Sequence, residues 1–260
     1  MSLFKAKKKY SEQRSQYLIT DDVDFNVLES FRNLKANVSV SIPKKADGGA
    51  VTIMMTSACP EDGKTTVAVN LALMYAFSTR KVLLIDADVR KGRVGRFFRH
   101  KSSPGLTDCV TGLATLEEVT HHLPDKENFA YITCGTHSPH PYELLASEQM
   151  KSLLKELQQQ YDYIIIDTPP LLLLSDCIAL APEVDGTIVV CRHQTTYVSD
   201  IARTLNALNF AKANVIGVVV NDYTPEEKRE YSKYHYNYYT YGHHDNQEET
   251  VEQTVEPSEN

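Results

Sequence analysis

A short run in this sequence has the residue types and the spacing that phosphate binding requires. It reads Asp62-Gly63-Lys64-Thr65-Thr66 and follows an apolar segment that begins at Val51. A glycine here lets the backbone approach a triphosphate, the lysine reaches its β- and γ-oxygens, and the threonine hydroxyl is a ligand for Mg²⁺. The strict pattern has glycine five residues before Gly63, where this chain has Ala58. The run predicts a phosphate loop formed by Ala58, Cys59, Pro60, Glu61, Asp62, Gly63, Lys64, Thr65 and Thr66.

Three carboxylates stand where two other apolar runs end. KVLLIDAD, which starts at Lys81, places Asp86 and Asp88 after a run too short for a helix, and YDYIIIDTPP places Asp167 at the end of another. In a doubly wound α/β sheet, ligands bind beyond the carboxyl ends of the strands. We therefore expect these three aspartates to meet the phosphate loop at one rim of a sheet.

Such a rim requires strands and helices that alternate along the chain, and the hydrophobic pattern predicts them. Strands are predicted to begin at Val51, to end at Asp167 and to span residues 82–85, 129–134, 186–191 and 215–220. Helices are predicted after the phosphate loop and over residues 26–38, 105–123 (one or two), within 139–160 (after a turn), within 171–185 (after a loop) and over 199–210. Together they predict an α/β fold with a doubly wound, mainly parallel sheet.

Composition and charge indicate one domain with two tails. The chain has 260 residues and a net charge of −7 that is unevenly distributed. Residues 1–24 form a basic arm, residues 25–224 the nucleotide-binding domain, and residues 225–260 a flexible tail rich in tyrosine and acidic residues. The basic arm is a solvated tail, or it contacts an anionic membrane face or an acidic partner. Its charges are Lys5, Lys7, Lys8, Lys9 and Arg14.

Cysteine usage and hydropathy bear on the compartment. Five cysteines without a C-x-x-C pair, several of them in apolar runs, predict reduced core residues and a cytoplasmic location. No apolar run approaches the roughly 18 residues that span a bilayer, and the first residues lack the apolar segment of a secretory signal. Membrane association is therefore expected to come through a partner or through surface charge. The histidines show no metal-ligand spacing.

Six basic residues follow the second strand within twelve positions. Two interpretations are open: they hold acidic substrate or phosphate charge, or they form the solvated face of a helix. The residues are Arg90, Lys91, Arg93, Arg96, Arg99 and Lys101.

Six tyrosines lie within eleven residues near the C-terminus: Tyr231, Tyr234, Tyr236, Tyr238, Tyr239 and Tyr241. They follow neither a strand period nor a helix period and have almost no aliphatic neighbours, so they do not indicate a packed core. A low-complexity tail and an aromatic surface for nucleic acid are two interpretations. Because nucleic-acid surfaces carry more cationic charge than one lysine within such a cluster, we expect no nucleic-acid partner.

At these motifs the sequence resembles the bacterial tyrosine kinases of capsule and exopolysaccharide systems, which implies a P-loop NTPase fold of the deviant Walker ATPase-like type. The resemblance rests on the phosphate loop ending GKTT, on LLIDADVR, on IIIDTPP and on the tyrosine cluster, over most of residues 26–241. PHPYELL adds weaker agreement, with His140 where the family often has Asn. Weaker agreement also comes from the family's self-association motif, which matches Glu29 and Arg32 but has Arg at the third place, where this chain has Lys35. The phosphate loop also departs from the family pattern at Glu61, where the family usually has Gly.

The resemblance implies an ATP- and Mg²⁺-dependent protein tyrosine kinase that phosphorylates its own tail tyrosines and regulates capsular or exopolysaccharide synthesis and export. It further implies a ring-shaped homo-oligomer assembled through Glu29, Arg32 and Lys35, and a cognate tyrosine phosphatase. A transmembrane activator, the polysaccharide co-polymerase, would recruit the kinase to the inner face of the plasma membrane through its cytoplasmic segment. Since no such segment precedes the kinase motifs, we expect the branch with a separate activator.

Each site residue receives an expected role in that mechanism. Asp86 is our candidate for the carboxylate that accepts the tyrosine proton, because a tyrosine hydroxyl has a pKa near 10. Lys64 neutralises phosphate charge, and Asn221 is expected to read the adenine edge, as its counterpart does in related ATPases. Thr65 is expected to bind Mg²⁺ directly, and two carboxylates to act on it directly or through water, namely Asp88 and Asp167.

Two other functions compete with this interpretation. A switch ATPase of the MinD and ParA kind shares the fold and both aspartate motifs. Such proteins typically carry an extra lysine where this chain has Cys59, and they lack a tyrosine tail. A non-catalytic scaffold that binds nucleotide is suggested by Ala58 and Glu61. Phosphorylation of tyrosine in the presence of ATP and Mg²⁺ separates the three hypotheses.

Overall fold

The computed structural model describes residues 18–19, 23–46 and 48–223 of the chain. The charged residues of the basic arm, the tyrosine cluster and the acidic end lie outside these ranges, so what the sequence predicts for them stays a prediction. Contacts divide the chain into one compact unit that ends at Asp222 and a second that begins at Tyr223.

Within the described residues, seven strands form one sheet in the order β3-β4-β2-β5-β1-β6-β7. All neighbouring pairs are parallel except β3 and β4, which are antiparallel at one edge. The predicted mainly parallel α/β sheet is therefore confirmed. The strands are β1 (Val51–Ser57), β2 (Val82–Asp86), β3 (Thr120–Leu123), β4 (Lys126–Ile132), β5 (Tyr163–Asp167), β6 (Gly186–Arg192) and β7 (Val215–Asn221).

Helices cover both faces of this sheet. Long helices alternate with the strands, and several short ones fill the connections. The helices are α1 (Phe25–Ser41), α2 (Lys64–Ala76), α3 (Val94–Phe97), α4 (Leu106–Val110), α5 (Leu116–Val119), α6 (Pro141–Leu145), α7 (Glu148–Gln158), a 3₁₀ helix (Ser175–Glu183) and α8 (Val198–Phe210).

The central strands are apolar without interruption because both of their faces are covered. Strands β1, β2 and β5 are buried along their whole length. Successive side chains enter two separate cores, since side chains alternate across a strand. Met54 and Ile166 belong to one core, and Ile53 and Ile165 belong to the other.

Three predicted elements differ from the structure. The helix predicted over residues 105–123 is wrong at its end, because Thr120–Leu123 is strand β3, whose pairing with β4 overrides the local helical pattern. The helix predicted over residues 139–160 is two helices, and Ser147 caps the second by accepting a hydrogen bond from the Met150 N–H. The helix predicted within residues 171–185 is a 3₁₀ helix.

Helix α1 confirms the helix predicted over residues 26–38 and extends it to Ser41. Asp24 caps its first turn by accepting a hydrogen bond from the Asn26 N–H. Val38 is buried against the sheet core, whereas Val27, predicted on the same apolar face, is 43% exposed. The helix therefore packs mainly through its C-terminal half.

In the described part of the chain, none of the helices is long and apolar enough to cross a bilayer. All five cysteines are free, as the sequence predicts, and three of them are buried.

Candidate active site

The phosphate loop joins β1 to α2 and takes backbone conformations that favour glycine. Gly63 has φ +91°, and a Cβ added there would lie 1.9 Å from the Asn221 side-chain nitrogen. Glu61 has φ +69°, in the left-handed region, where most L-residues are strained. Glu61 therefore adopts a backbone conformation that glycine takes without strain, and glycine is the residue that the tyrosine kinase family usually has at this position.

Asp62 fastens this loop from within. Its carboxylate accepts hydrogen bonds from the Cys59 N–H, at 2.9 Å, and from the Thr196 hydroxyl, at 2.7 Å. Its carbonyl oxygen accepts a third from the Asn221 side chain, at 3.0 Å. The side chain of Asp62 thus holds the loop, while its part in nucleotide binding stays a prediction. Recognition of adenine by Asn221 also stays a prediction, since its side-chain nitrogen donates its hydrogen bond to the Asp62 carbonyl in this structure.

Lys64 begins α2 and brings the predicted carboxylates together. Its ammonium lies 3.2 Å from Asp167 and 3.7 Å from Asp88, and both carboxylates are buried. Thr65 is buried beside it, with the hydroxyl 3.4 Å from the same ammonium. The sequence predicts that these four side chains meet at one rim of the sheet. The structure brings them together there from three separate stretches of the chain.

Asp86 is the last residue of β2, and its carboxylate binds the loop that follows this strand. It is 1% exposed, and its two oxygens accept hydrogen bonds from the Asp88 N–H at 3.2 Å and the Val94 N–H at 2.9 Å. Burial, and secondly the charge of Asp167, raise the pKa of Asp86 to about 8. The structure thus shows that Asp86 positions the loop after β2. Its role as the base that accepts the tyrosine proton stays a prediction, and a pKa of about 8 is compatible with it.

The donor set fits Mg²⁺. Burial raises the pKa of Asp167, and its Oδ2 atom is buried without a hydrogen-bond partner in the described part of the chain. Within that part, no group of three or more His, Cys, Asp or Glu side chains is arranged to hold a metal by itself. Mg²⁺ in P-loop sites is typically held by one or two carboxylates with phosphate oxygens, so Thr65, Asp88 and Asp167 suffice.

A cleft of about 580 Å³ opens over this group. Pro170, Leu173 and Leu174 supply an apolar wall, and a row of basic side chains supplies the rest. Five cations and two acids line it: Lys64, Arg90, Lys91, Arg93, Arg192, Glu61 and Asp88. Glu61, Lys64 and Asp88 were predicted at the site. For Arg90, Lys91 and Arg93 the sequence left two interpretations open, and Arg192 was not predicted there.

Two of these arginines are held by carboxylates distant in sequence. Arg90 forms a fork with the buried Asp176, with Nε–Oδ2 at 2.6 Å and Nη2–Oδ1 at 3.2 Å. Arg192 donates two hydrogen bonds to Asp222, at 2.9 and 2.6 Å. Arg90 had a sequence signal, the basic run after β2, whereas Arg192 had none.

The predicted self-association residues lie on α1, away from the cleft. Glu29 and Arg32 form an ion pair on the helix surface. Lys35 is half-buried; it donates a hydrogen bond to the Ser78 hydroxyl and lies 5.6 Å from the centre of the Tyr75 ring. Lys35 therefore takes part in the packing of α1 on α2, and its contact with another subunit stays a prediction.

Comparisons with known proteins agree with this geometry. A family described as AAA domain matches residues 52–216. The tyrosine-protein kinase YwqD of Bacillus subtilis is 33% identical over 222 residues, 85% of this chain and 92% of that protein. The tyrosine-protein kinase ptk of Acinetobacter johnsonii is 33% identical over 203 residues, 78% of this chain but 27% of that longer protein.

Solved structures give the same result. The kinase domain of the Escherichia coli tyrosine kinase ETK is 30% identical, with a TM-score of 0.69 over 79% of this chain and 80% of that one. MinD of Pyrococcus horikoshii, complexed with Mg-ADP, is 23% identical, with a TM-score of 0.58 over 68% of this chain and 72% of that one. This second likeness extends to the P-loop ATPase fold alone.

Proposed function

Because this chain belongs to the bacterial tyrosine kinases of the exopolysaccharide type, we propose that it transfers the γ-phosphoryl group of ATP to tyrosine hydroxyls, chiefly in its own C-terminal cluster. In this reaction the bond from the γ-phosphorus to the β–γ bridging oxygen breaks and a bond to the tyrosine oxygen forms. ADP leaves, and the tyrosine proton passes to a carboxylate.

One observation carries the proposal: Lys64 stands between Asp88 and Asp167 at the start of α2, beside the Thr65 hydroxyl. Phosphoryl transfer depends mainly on positioning and on neutralisation of charge. Lys64 and the N–H groups at the start of α2 provide both for the triphosphate. Bound Mg²⁺ would supply further neutralisation of the β- and γ-oxygens. Asp86, whose pKa burial raises to about 8, is the candidate for the proton acceptor.

Assembly and membrane recruitment belong to the same proposal. The exposed ion pair between Glu29 and Arg32 would contact a neighbouring subunit in a ring. A transmembrane activator of polysaccharide synthesis would contact the kinase through its cytoplasmic segment and hold it at the inner face of the plasma membrane. A tyrosine phosphatase would remove the phosphates, and the cycle would regulate capsule or exopolysaccharide export. Family membership supports these roles.

The test is phosphotyrosine formation in the purified full chain, incubated with ATP and Mg²⁺, with and without the cytoplasmic segment of a co-encoded membrane activator. We expect anti-phosphotyrosine labelling that Lys64→Met abolishes, because Lys64 neutralises phosphate charge. Lys151→Met is the matched control, since Lys151 is a partly exposed lysine on α7 that does not line the cleft and is paired with Glu148. Equal labelling in a folded Lys64→Met protein would reject the site, and ATP hydrolysis without labelling would favour a switch ATPase.

A further inference from the structure

The basic segment that follows β2 divides into two parts. Arg90, Lys91 and Arg93 line the cleft, whereas the later basic residues of the same segment do not: Arg96, Arg99 and Lys101. The two interpretations left open by the sequence therefore apply to different residues. The first three can meet a ligand in the cleft, and the last three are exposed elsewhere.

The cleft-lining part lies across the site from the phosphate loop. The sheet order places β5 between β2 and β1. Because neighbouring strands lie about 4.8 Å apart, the end of β2 is roughly 10 Å from the end of β1. Asp167, at the end of β5, stands between them. A triphosphate bound at the loop end of the cleft leaves the β2 end for the acceptor.

The position of this segment is well defined by hydrogen bonds. Asp86 receives the N–H groups of Asp88 and Val94, one at each end of the segment. Asp88 in turn accepts a hydrogen bond from the Lys91 N–H, at 3.0 Å. Backbone positions on both sides of the basic residues are therefore tied to buried carboxylates.

Only part of the positive charge in the cleft is already balanced. Arg90 is paired with Asp176, Arg192 with Asp222, and Lys64 with two aspartates. Within the described ranges, neither Lys91 nor Arg93 forms an ion pair. These two charges are available to a ligand on the acceptor side.

The chain carries one tyrosine with an acidic residue directly beside it. Glu230 precedes Tyr231, with Glu226 and Glu227 a few residues earlier, although Lys228, Arg229 and Lys233 lie in the same stretch. The later tyrosines of the cluster are followed by acidic residues only from Asp245 onward. We propose that Lys91 and Arg93 select acceptor tyrosines that stand beside acidic residues, so that this kinase acts on acidic tyrosine peptides. The inference rests on the proposed function and names the substrate class of the same site.

The physical reason is charge balance near ATP. A peptide that brings carboxylates close to the triphosphate is repelled by it, and two cations beside the acceptor offset that repulsion. An exposed ion pair changes an equilibrium by up to about fivefold. Two such pairs predict a preference on the order of tenfold for acidic over neutral peptides, which falls as salt screens the charges.

The experiment compares two synthetic peptides with one tyrosine each, flanked by Glu in one and by Gln in the other. The full chain phosphorylates them at matched ATP and Mg²⁺, and kcat/KM for each peptide is measured at low and high salt. We expect the Glu peptide to be preferred by about tenfold at low salt. In a Lys91→Gln/Arg93→Gln protein we expect the preference to fall within about twofold, through loss of rate on the Glu peptide alone.

The matched control is Arg96→Gln/Lys101→Gln, which removes two charges from the same segment outside the cleft. We expect it to keep the preference of the parent protein, which excludes a general effect of net charge. The KM for ATP is measured in parallel. A rise in the KM for ATP in the Lys91→Gln/Arg93→Gln protein, with the preference retained, would mean that these residues bind nucleotide and would overturn the inference.

Equal rates for both peptides, from a protein that labels its own tail, overturn the acidic-peptide inference and leave the kinase function intact. A protein that labels neither its tail nor a peptide overturns the proposed function and the inference with it.

Discussion

Asp86 and Asp167 stand opposite each other, in register, at the carboxyl ends of the neighbouring parallel strands β2 and β5. Both are buried, and burial raises the pKa of each; that of Asp86 rises to about 8. Lys64 contacts Asp167 and is the nearby cation that offsets their repulsion. The pair therefore holds a proton at neutral pH that exposed carboxylates would have lost.

Because Asp86 loses this proton only near pH 8, we expect the rate of phosphoryl transfer to depend on pH. Because its pKa is raised, Asp86 is mostly protonated below about pH 8 and becomes a base above it. We expect kcat/KM for ATP, which reports the free enzyme, to rise with pH and to level off above about 8. Initial rates of tail phosphorylation between pH 6 and 9.5 measure it.

Asp86→Asn should lower transfer far more than ATP affinity and should remove the inflection near pH 8. Thermal unfolding of the variant checks that the loop after β2 is intact, because Asp86 also binds the Asp88 and Val94 N–H groups. Near-full transfer with an unchanged pH profile would leave Asp86 a structural role only.

A second prediction concerns Gly63→Ala. The left-handed backbone costs alanine ~1–2 kcal/mol, and the new Cβ would displace the Asn221 side chain from its bond to the Asp62 carbonyl. We expect both lower stability and at least roughly tenfold weaker ATP binding.

Gly112→Ala is the matched control, because Gly112 also has a positive φ, of +74°, but nothing lies within 4 Å of an added Cβ. It should lose similar stability and keep its ATP affinity, measured by calorimetry. Equal affinities for the two variants would show that the contact between Gly63 and Asn221 does not support the nucleotide site.

Assembly through α1 is the third prediction. Glu29→Ala/Arg32→Ala/Lys35→Ala should reduce the mass in solution to that of a single chain, because an exposed charged stripe at helical spacing is removed. Light scattering measures it. Asn33→Ala, an exposed change on the same helix, should keep the parent mass.

Lys35 requires a separate variant, since it also packs on Ser78 and Tyr75. Burial lowers the pKa of Lys35, with a further contribution from Arg80. Lys35→Ala alone should lower the melting temperature because the hydrogen bond to Ser78 and the contact with the Tyr75 ring are lost. A Glu29→Ala/Arg32→Ala protein should lose mass without that change. The same mass for the triple variant and the parent would reject the interface.

The last prediction joins the tail to the assembly. An extended chain spans at most about 3.3 to 3.6 Å per residue, so the ten residues from Asn221 to Tyr231 reach roughly 35 Å. That permits phosphorylation within a chain or between neighbours. In a ring we expect the neighbour's site, so an active protein that lacks residues 225–260 should label Lys64→Met protein. An unlabelled Lys64→Met protein would restrict transfer to the chain's own tail.

Phosphorylation should then weaken the ring. Six phosphates add on the order of −9 to −12 charges beside an already acidic terminus, and such tails repel one another. Sedimentation at matched concentration, with ATP and activator present, should show smaller particles for the phosphorylated protein, and phosphatase treatment should restore them. An oligomer indifferent to phosphate count would refute this switch.

The sequence alone determined the local features of this protein. The apolar runs of β1, β2 and β5, the loop that ends at Lys64 and the aspartates at the strand ends depend on periodicity and spacing along a few neighbouring residues, which is what a sequence displays directly. The mainly parallel order followed from the alternation of strands and helices.

Only the tertiary structure decided which of these features meet. Nothing in the spacing shows that β2 lies beside β5, that Asp176 holds Arg90 or that Thr196 holds Asp62, across 86 and 134 residues. These contacts depend on strand order and on the packing of distant connections. The strand Thr120–Leu123 was missed for the same reason, because its conformation is stabilised by a partner strand and not by its own propensity.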